Sequence, residues 1–280
     1  MRAPWPPLID SWTRHLTRVP FWLCSLMLLA LPSRAQALAC GDVLVGGTHT
    51  LTADLDCSAV RRFALVVRDG AVLDLNGYTV FSGTVSPEGS IMLDGTGATL
   101  KNGRVDGRDV PVLVGGAGRH LVEHITTIGS SFIAFWVVSD QNWIQGNTVD
   151  EAVASYVVEG DGNWLIRNHS AWADYAIHVY GDQNVVTRNT TEHQLGGIYV
   201  PGDLNLITRN FLEGSGLEGI RVQGQGNTIN RNLINGFTLD ALDLHGNCTM
   251  NRWRKNTLMS ADPPCIYDTT VAPMREAFEP

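Results

Sequence analysis

A pair of asparagines returns at nearly constant intervals through the second half of this 280-residue chain. The first of each pair stands at Asn142, Asn163, Asn184, Asn205, Asn227 and Asn251, with steps of 21, 21, 21, 22 and 24 residues. The second follows five residues later every time, at Asn147, Asn168, Asn189, Asn210, Asn232 and Asn256. Such a chain is a stack of copies of one small unit, each contacting its neighbours.

The columns between the asparagines give the local structure. One reads Phe135, Tyr156, Ile177, Ile198, Ile220, Leu242; two residues on, another reads Val137, Val158, Val179, Val200, Val222, Leu244; a third reads Ile144, Leu165, Val186, Ile207, Ile229, Trp253. Apolar and variable positions alternate with period 2, which predicts strands, and no stretch carries a helical 3.6 period. Gly-Asp-x-Asn and Arg-Asn segments mark the turns. Asn suits these turns because it tolerates a left-handed backbone and its amide can bond the amide stacked beside it. The expected fold is all-β: a single-domain right-handed parallel β-helix, a solenoid of roughly 21-residue coils about 4.8 Å apart. A leucine-rich repeat is excluded, because its Asn follows the apolar run after fewer residues and Leu dominates its columns.

The ends differ. Arg2, Arg14 and Arg18 precede an apolar run, Phe21 to Leu31, and Ala35-Gln36-Ala37 is a small-x-small cleavage site, so residues 1–37 read as an export signal. The run is too short to span a bilayer. Residues 38–60 read as an N-terminal cap, 61–260 as the β-helix and 261–280 as a C-terminal tail. Removing residues 1–37, which carry four Arg and one Asp, takes the formal net charge from −8 to −11. That balance argues against nucleic acid as a partner. Cys40, Cys57, Cys248 and Cys265 allow three connectivities, and equal spacing at the two ends favours Cys40–Cys57 and Cys248–Cys265. Bridges agree with a secreted or periplasmic location. A loose lipoprotein box ending at Cys40 is the alternative use of that cysteine.

With CGDVLVGGTHTLTADLDC (40–57), LDLNGYTV (73–80) and the Asn-rich coils, residues 40–260 resemble secreted right-handed parallel β-helix proteins of the pectate-lyase-like superfamily, including its NosD-like and carbohydrate-binding-and-sugar-hydrolysis repeat proteins. The resemblance implies the fold and a polysaccharide as the partner. It does not imply one activity, because lyases, hydrolases, epimerases and adhesins share the fold. The calcium-binding Asp cluster and Arg stretch of pectate lyases, the Asp-Asp pair of polygalacturonases and the Asp-Pro-His-Asp of alginate epimerases are not found.

Outward columns are where a β-helix presents chemistry. One reads Trp136, Val157, His178, Tyr199, Arg221, Asp243; the next reads Val138, Glu159, Tyr180, Pro201, Gln223, His245. Elimination or epimerisation of a uronate needs a base for the proton alpha to the carboxylate, a cation for the enolate and an acid. His178, Arg221 and Tyr199 are the expected catalytic residues in those roles, with Trp136, Tyr180, Asp243 and His245 binding substrate. Solvated exterior residues without chemistry are the bland alternative. Arg167, Arg188, Arg209, Arg231 and Lys255 form a second row, expected to be neutralised by Glu192, Glu213 and neighbouring acids, with a polyanion as the other possible partner. Trp143 and Trp164 begin a third row, a sugar platform or a strip that the tail covers. No spacing suggests a metal, and no cofactor is expected. The sequence therefore describes an exported polysaccharide-interacting β-helix with lyase or epimerase as candidate activities; a non-catalytic envelope scaffold is the competing reading.

Overall fold

The computed structural model describes residues 37–60, 62–83 and 89–269. The expected export segment lies outside them, apart from Ala37. The described chain is a parallel β-solenoid of about ten turns. Its regular structure is strand throughout, except for one short 3-10 turn, Pro264–Thr269.

Three faces wrap one core. Face A carries Asp42–Val45, Leu65–Arg68, Ile91–Asp94, Val112–Val114, then residues 135–137, 156–158 and 177–179 of longer strands, then Gly196–Val200, Glu218–Val222, Leu239–Asp243 and Ala261–Asp262. Each pairs in parallel with the next, as in Tyr156↔Ile177 and Ile198↔Ile220. Face B holds the three-residue strands after the first Asn, such as Trp164–Ile166 and Val185–Thr187. Face C holds the segments after the second Asn, such as His169↔Thr190 and Phe211↔Leu233. Like stacks on like inside: Ile144, Leu165, Val186, Ile207 and Ile229 are all fully buried. Each such side chain contributes roughly 1.5–3 kcal/mol through burial.

The asparagines point inward and bridge coils. At the A–B turn the backbone N–H of Asn142, Asn163, Asn184, Asn205 and Asn227 donates to the Oδ1 of the next Asn in the column at 2.7–2.9 Å. At the B–C turn the same bond runs from Asn147 through Asn256 at 2.9–3.0 Å, and side-chain amides add a second at 3.0–3.1 Å. The left-handed residue is not the Asn but the one before it: Arg167, Arg188, Arg209, Arg231 and Lys255 have φ of 53°, 58°, 57°, 55° and 52°. The expectation of left-handed asparagines is thus corrected, because the Asn side chain must face inward to satisfy buried backbone donors.

Both ends also differ from expectation. Residues 42–57, expected as a cap, form the first complete coil, since Asp42–Val45, Thr48–Thr50 and Leu55–Cys57 pair with the strands of the second. Residues 261–269, the described part of the expected C-terminal tail, pack on the last coil: Ala261 and Asp262 pair with Ala241 and Leu242, and Ile266 is fully buried. Cys40–Cys57 and Cys248–Cys265 are bridged, with Cα–Cα distances of 5.4 and 6.1 Å. Bridging leaves Cys40 no thiol for lipidation.

Candidate functional site on face A

Register places the first outward column as expected down to Arg221: Trp136↔Val157, Val157↔His178, His178↔Tyr199 and Tyr199↔Arg221. His178, Tyr199 and Arg221 line one cleft of about 630 Å³. Tyr175 and Glu218 complete its polar wall, and Leu195 and Leu217 its apolar rim. The floor is opened by glycines that cannot be replaced without collision; a Cβ on Gly197 would stand 2.0 Å from the Gly219 carbonyl oxygen.

The imidazole of His178 is the centre of an aromatic cluster. Its ring lies 5.0 Å from that of Tyr175, 5.6 Å from Tyr199 and 5.9 Å from Tyr180, the last two edge-on. Its Nε2 is buried and has no hydrogen-bond partner among the described residues. Desolvation lowers the His178 pKa, so the ring is a neutral base at neutral pH. The Tyr199 hydroxyl donates a short bond to Gln223 Oε1. Arg221 sits with Cζ 5.3 Å from the Tyr199 ring centroid, a cation–π arrangement, and its Nη1 lies 3.8 Å from Glu218 Oε1. That ion pair is long and half-exposed, and therefore weak, which leaves the guanidinium open to another carboxylate. Burial, then the neighbouring Tyr199 and Glu159, raises the Tyr180 pKa.

Other expected residues stand elsewhere. Trp136 packs on the small apolar cluster of Ile133, Ala154 and Val157, two coils above His178. Asp243 is not outward. Face A continues Val222↔Asp243, with Leu242 beside Arg221, so Asp243 is turned into the core and is 1% exposed. There Oδ2 accepts from Trp253 Nε1 at 3.0 Å and Asn251 Nδ2 at 3.2 Å, and Oδ1 lies 3.1 Å from His245 Nδ1. His245 consequently sits in the following turn, held by Asp243, rather than in the Tyr180 column. The cause is the step: face A advances 21 residues from Ile220 to Ala241, whereas the expected column repeats the 22-residue step from Ile198 to Ile220, and the extra residues of this coil fall after face A, in the loop before Asn251. Two residues went unread in the sequence, Tyr175 and Glu218, because neither belongs to a repeating column.

The other rows are also resolved. Trp143 and Trp164 stack with centroids 5.1 Å apart and planes 3° from parallel, and both are exposed. Among the described residues no carboxylate comes within 4 Å of Arg167, Arg188, Arg209 or Arg231. Neutralisation by Glu192 and Glu213 is therefore not what occurs; those carboxylates project from face C, four residues further along the chain. Among the described residues no group of three His, Cys, Asp or Glu could hold a metal ion, and no helix is long and apolar enough to cross a membrane.

The family model for the right-handed β-helix region matches residues 152–267, the most regular coils. No curated protein and no solved structure matches the chain. That match and the parallel solenoid of about ten turns together give the chain the right-handed parallel β-helix fold.

Proposed function

We propose that this protein is exported and binds an acidic polysaccharide across face A, acting on it as a uronate lyase or epimerase. The observation that carries the reading is a neutral, buried imidazole nitrogen without a partner, in one cleft with a tyrosine hydroxyl and an arginine. His178 takes the proton alpha to the uronate carboxylate. Arg221 pairs with that carboxylate and stabilises the enolate as the C–H electrons move onto it. In elimination those electrons form the new C=C bond, the glycosidic C–O bond breaks, and Tyr199 gives its proton to the departing oxygen. In epimerisation Tyr199 returns a proton to the opposite face of the same carbon. Glycoside hydrolysis is less suited, since it uses two carboxylates and Glu218 is the one that lines the cleft. The basic start, apolar run and small-x-small site of residues 1–37, together with two disulfides, support export.

A panel of uronate polymers tests this. We expect unsaturated chain ends, read by absorbance, or solvent deuterium entering the alpha carbon without chain cleavage. His178→Ala and Arg221→Ala should each reduce either rate by at least 100-fold. Absence of both signals with every polymer would leave the scaffold reading, which the inward turn of Asp243 favours by removing a carboxylate from the face.

A further inference from the structure

The edge between faces B and C carries a cation in five consecutive coils: Arg167, Arg188, Arg209, Arg231 and Lys255. The flanking positions are in register on both sides, as Ile166↔Thr187, Thr187↔Thr208 and Thr208↔Asn230 before them and His169↔Thr190, Thr190↔Phe211 and Phe211↔Leu233 after them. The backbone N–H groups of Arg167, Arg188, Arg209 and Arg231 bond the next coil at 3.1–3.3 Å. The side chains therefore rise in one straight row, about 4.8 Å per step. All five are exposed.

This row is costly for the protein alone. Left-handed backbone disfavours an ordinary L residue by about 1–2 kcal/mol. The same turn position in earlier coils holds Asn76, Asn102, His124 and Gly146, residues that adopt this backbone more readily than Arg or Lys. Stacked like charges repel as well, and no described carboxylate lies within 4 Å of the four arginines. Strain and repulsion thus have no offsetting contact among the described residues.

We infer that the row is a second binding site, for a linear acidic glycan lying parallel to the solenoid axis with a carboxylate or sulfate on about every sugar. Its charge spacing would follow the coil spacing, and guanidinium groups bind such anions in bidentate fashion. A nucleic acid fits less well. Two disulfides point to an oxidising compartment. Asp140, Asp161, Asp182 and Asp203 also stack along the other edge of face B, each Asp backbone N–H after the first donating to the previous carboxylate at 2.7–2.8 Å, so a wide polyanion would meet a negative row. The inference does not depend on the face A cleft.

The test compares two triple variants of equal charge change in the full chain: R167N/R188N/R209N in the row and R68N/R104N/R119N away from it. Asn is accepted at left-handed positions, so the row variant should fold, with a melting temperature at or above wild type. Calorimetric titration uses oligogalacturonate, its neutral counterpart maltodextrin, and a single-stranded DNA oligomer, at several salt concentrations. The row variant should lose at least tenfold in oligogalacturonate affinity, and the slope of log K against log salt should fall by more than half, as release of counterions requires. The control triple should keep wild-type affinity, and maltodextrin should not bind. Equal loss in both triples, wild-type affinity in the row variant, or no binding by wild type would overturn the site. Tighter binding of DNA through the same arginines would overturn the glycan assignment. If the row triple failed to fold, R188N/R209N with a matched double control would be read by the same criteria.

Discussion

His120 occupies the ladder position that Asn fills in every later A–B turn. Its backbone N–H donates to Asn142 Oδ1 at 2.8 Å, while its Nδ1 accepts from Ala98 N–H at 3.0 Å and its Nε2 faces the Gly115 carbonyl at 2.8 Å. An acceptor at Nδ1 and a donor at Nε2 define a neutral ring, and burial lowers its pKa below the ordinary 6.5, against the raising effect of the Gly115 carbonyl and of Asp94 and Asp69. His178 is shifted in the same direction by the same cause. The sign of the pH effect follows. Below about pH 6.5 the unfolded chain protonates these histidines and the folded chain does not, so the unfolded state binds more protons. Their contribution is fully present above that pH and is lost as pH falls toward the depressed folded values. Urea unfolding should therefore show stability decreasing from pH 7.5 to 5. His120→Asn, which keeps a ladder acceptor without a titrating group, should flatten that slope while leaving the chain folded. An unchanged slope would mean that His120 is not the neutral ladder member described.

At the scale of the strand, register decides which chemistry faces outward, and here the sequence is legible to different depths. The period-2 columns from Phe135 to Val222 can be read directly, because the step is 21 or 22 residues and apolar side chains repeat. The last coil cannot be aligned from apolar identity alone: Leu242 and Leu244 look like core residues, yet Ala241 and Asp243 are the buried pair. The available clue is chemical rather than periodic. Trp253 replaces an aliphatic residue in a buried column, and a buried indole N–H needs an acceptor; Asp243 supplies it. The cleft was half visible for a similar reason. His178, Tyr199 and Arg221 share a column of polar residues, whereas Tyr175 and Glu218 stand at the start of face A beside Ala154, Gly196 and Leu239, where residue type does not repeat. The register has a direct test. Ala241→Asp would bury a carboxylate without a partner and should cost about 3 kcal/mol or more, whereas Leu242→Ser should change stability by no more than about 0.5 kcal/mol. The reverse order in denaturant unfolding would restore the alternative alignment.

The described solenoid is quasi-one-dimensional. Each coil touches only its neighbours, so stability is the sum of coil and interface contributions, and among the described residues the first and last coils each pair with one coil rather than two. Opening should begin there. Both disulfides lie at these ends. Cys40–Cys57 ties the start of the first coil to its face C strand, and Cys248–Cys265 ties the loop before Asn251 to the 3-10 turn that covers the last coil. Each closes a loop with a separation of 17 residues, which stabilises by roughly 3 kcal/mol in the chain-entropy model. That gain is local. Reduction should raise hydrogen exchange at the amides of residues 42–57 and 241–266, while amides such as Val158, Val179 and Val200 keep their protection, because the interfaces around them are untouched. Asn189 gives the complementary perturbation in the middle. Its amide accepts from Asn168 and donates to Leu165 and Asn210, so Asn189→Leu leaves several buried groups unpaired and should destabilise by about 2–4 kcal/mol. It should loosen the coils on either side of residue 189 with both disulfides intact. Exchange that rose uniformly along the solenoid in both cases would show a single cooperative unit and refute the coil-by-coil account.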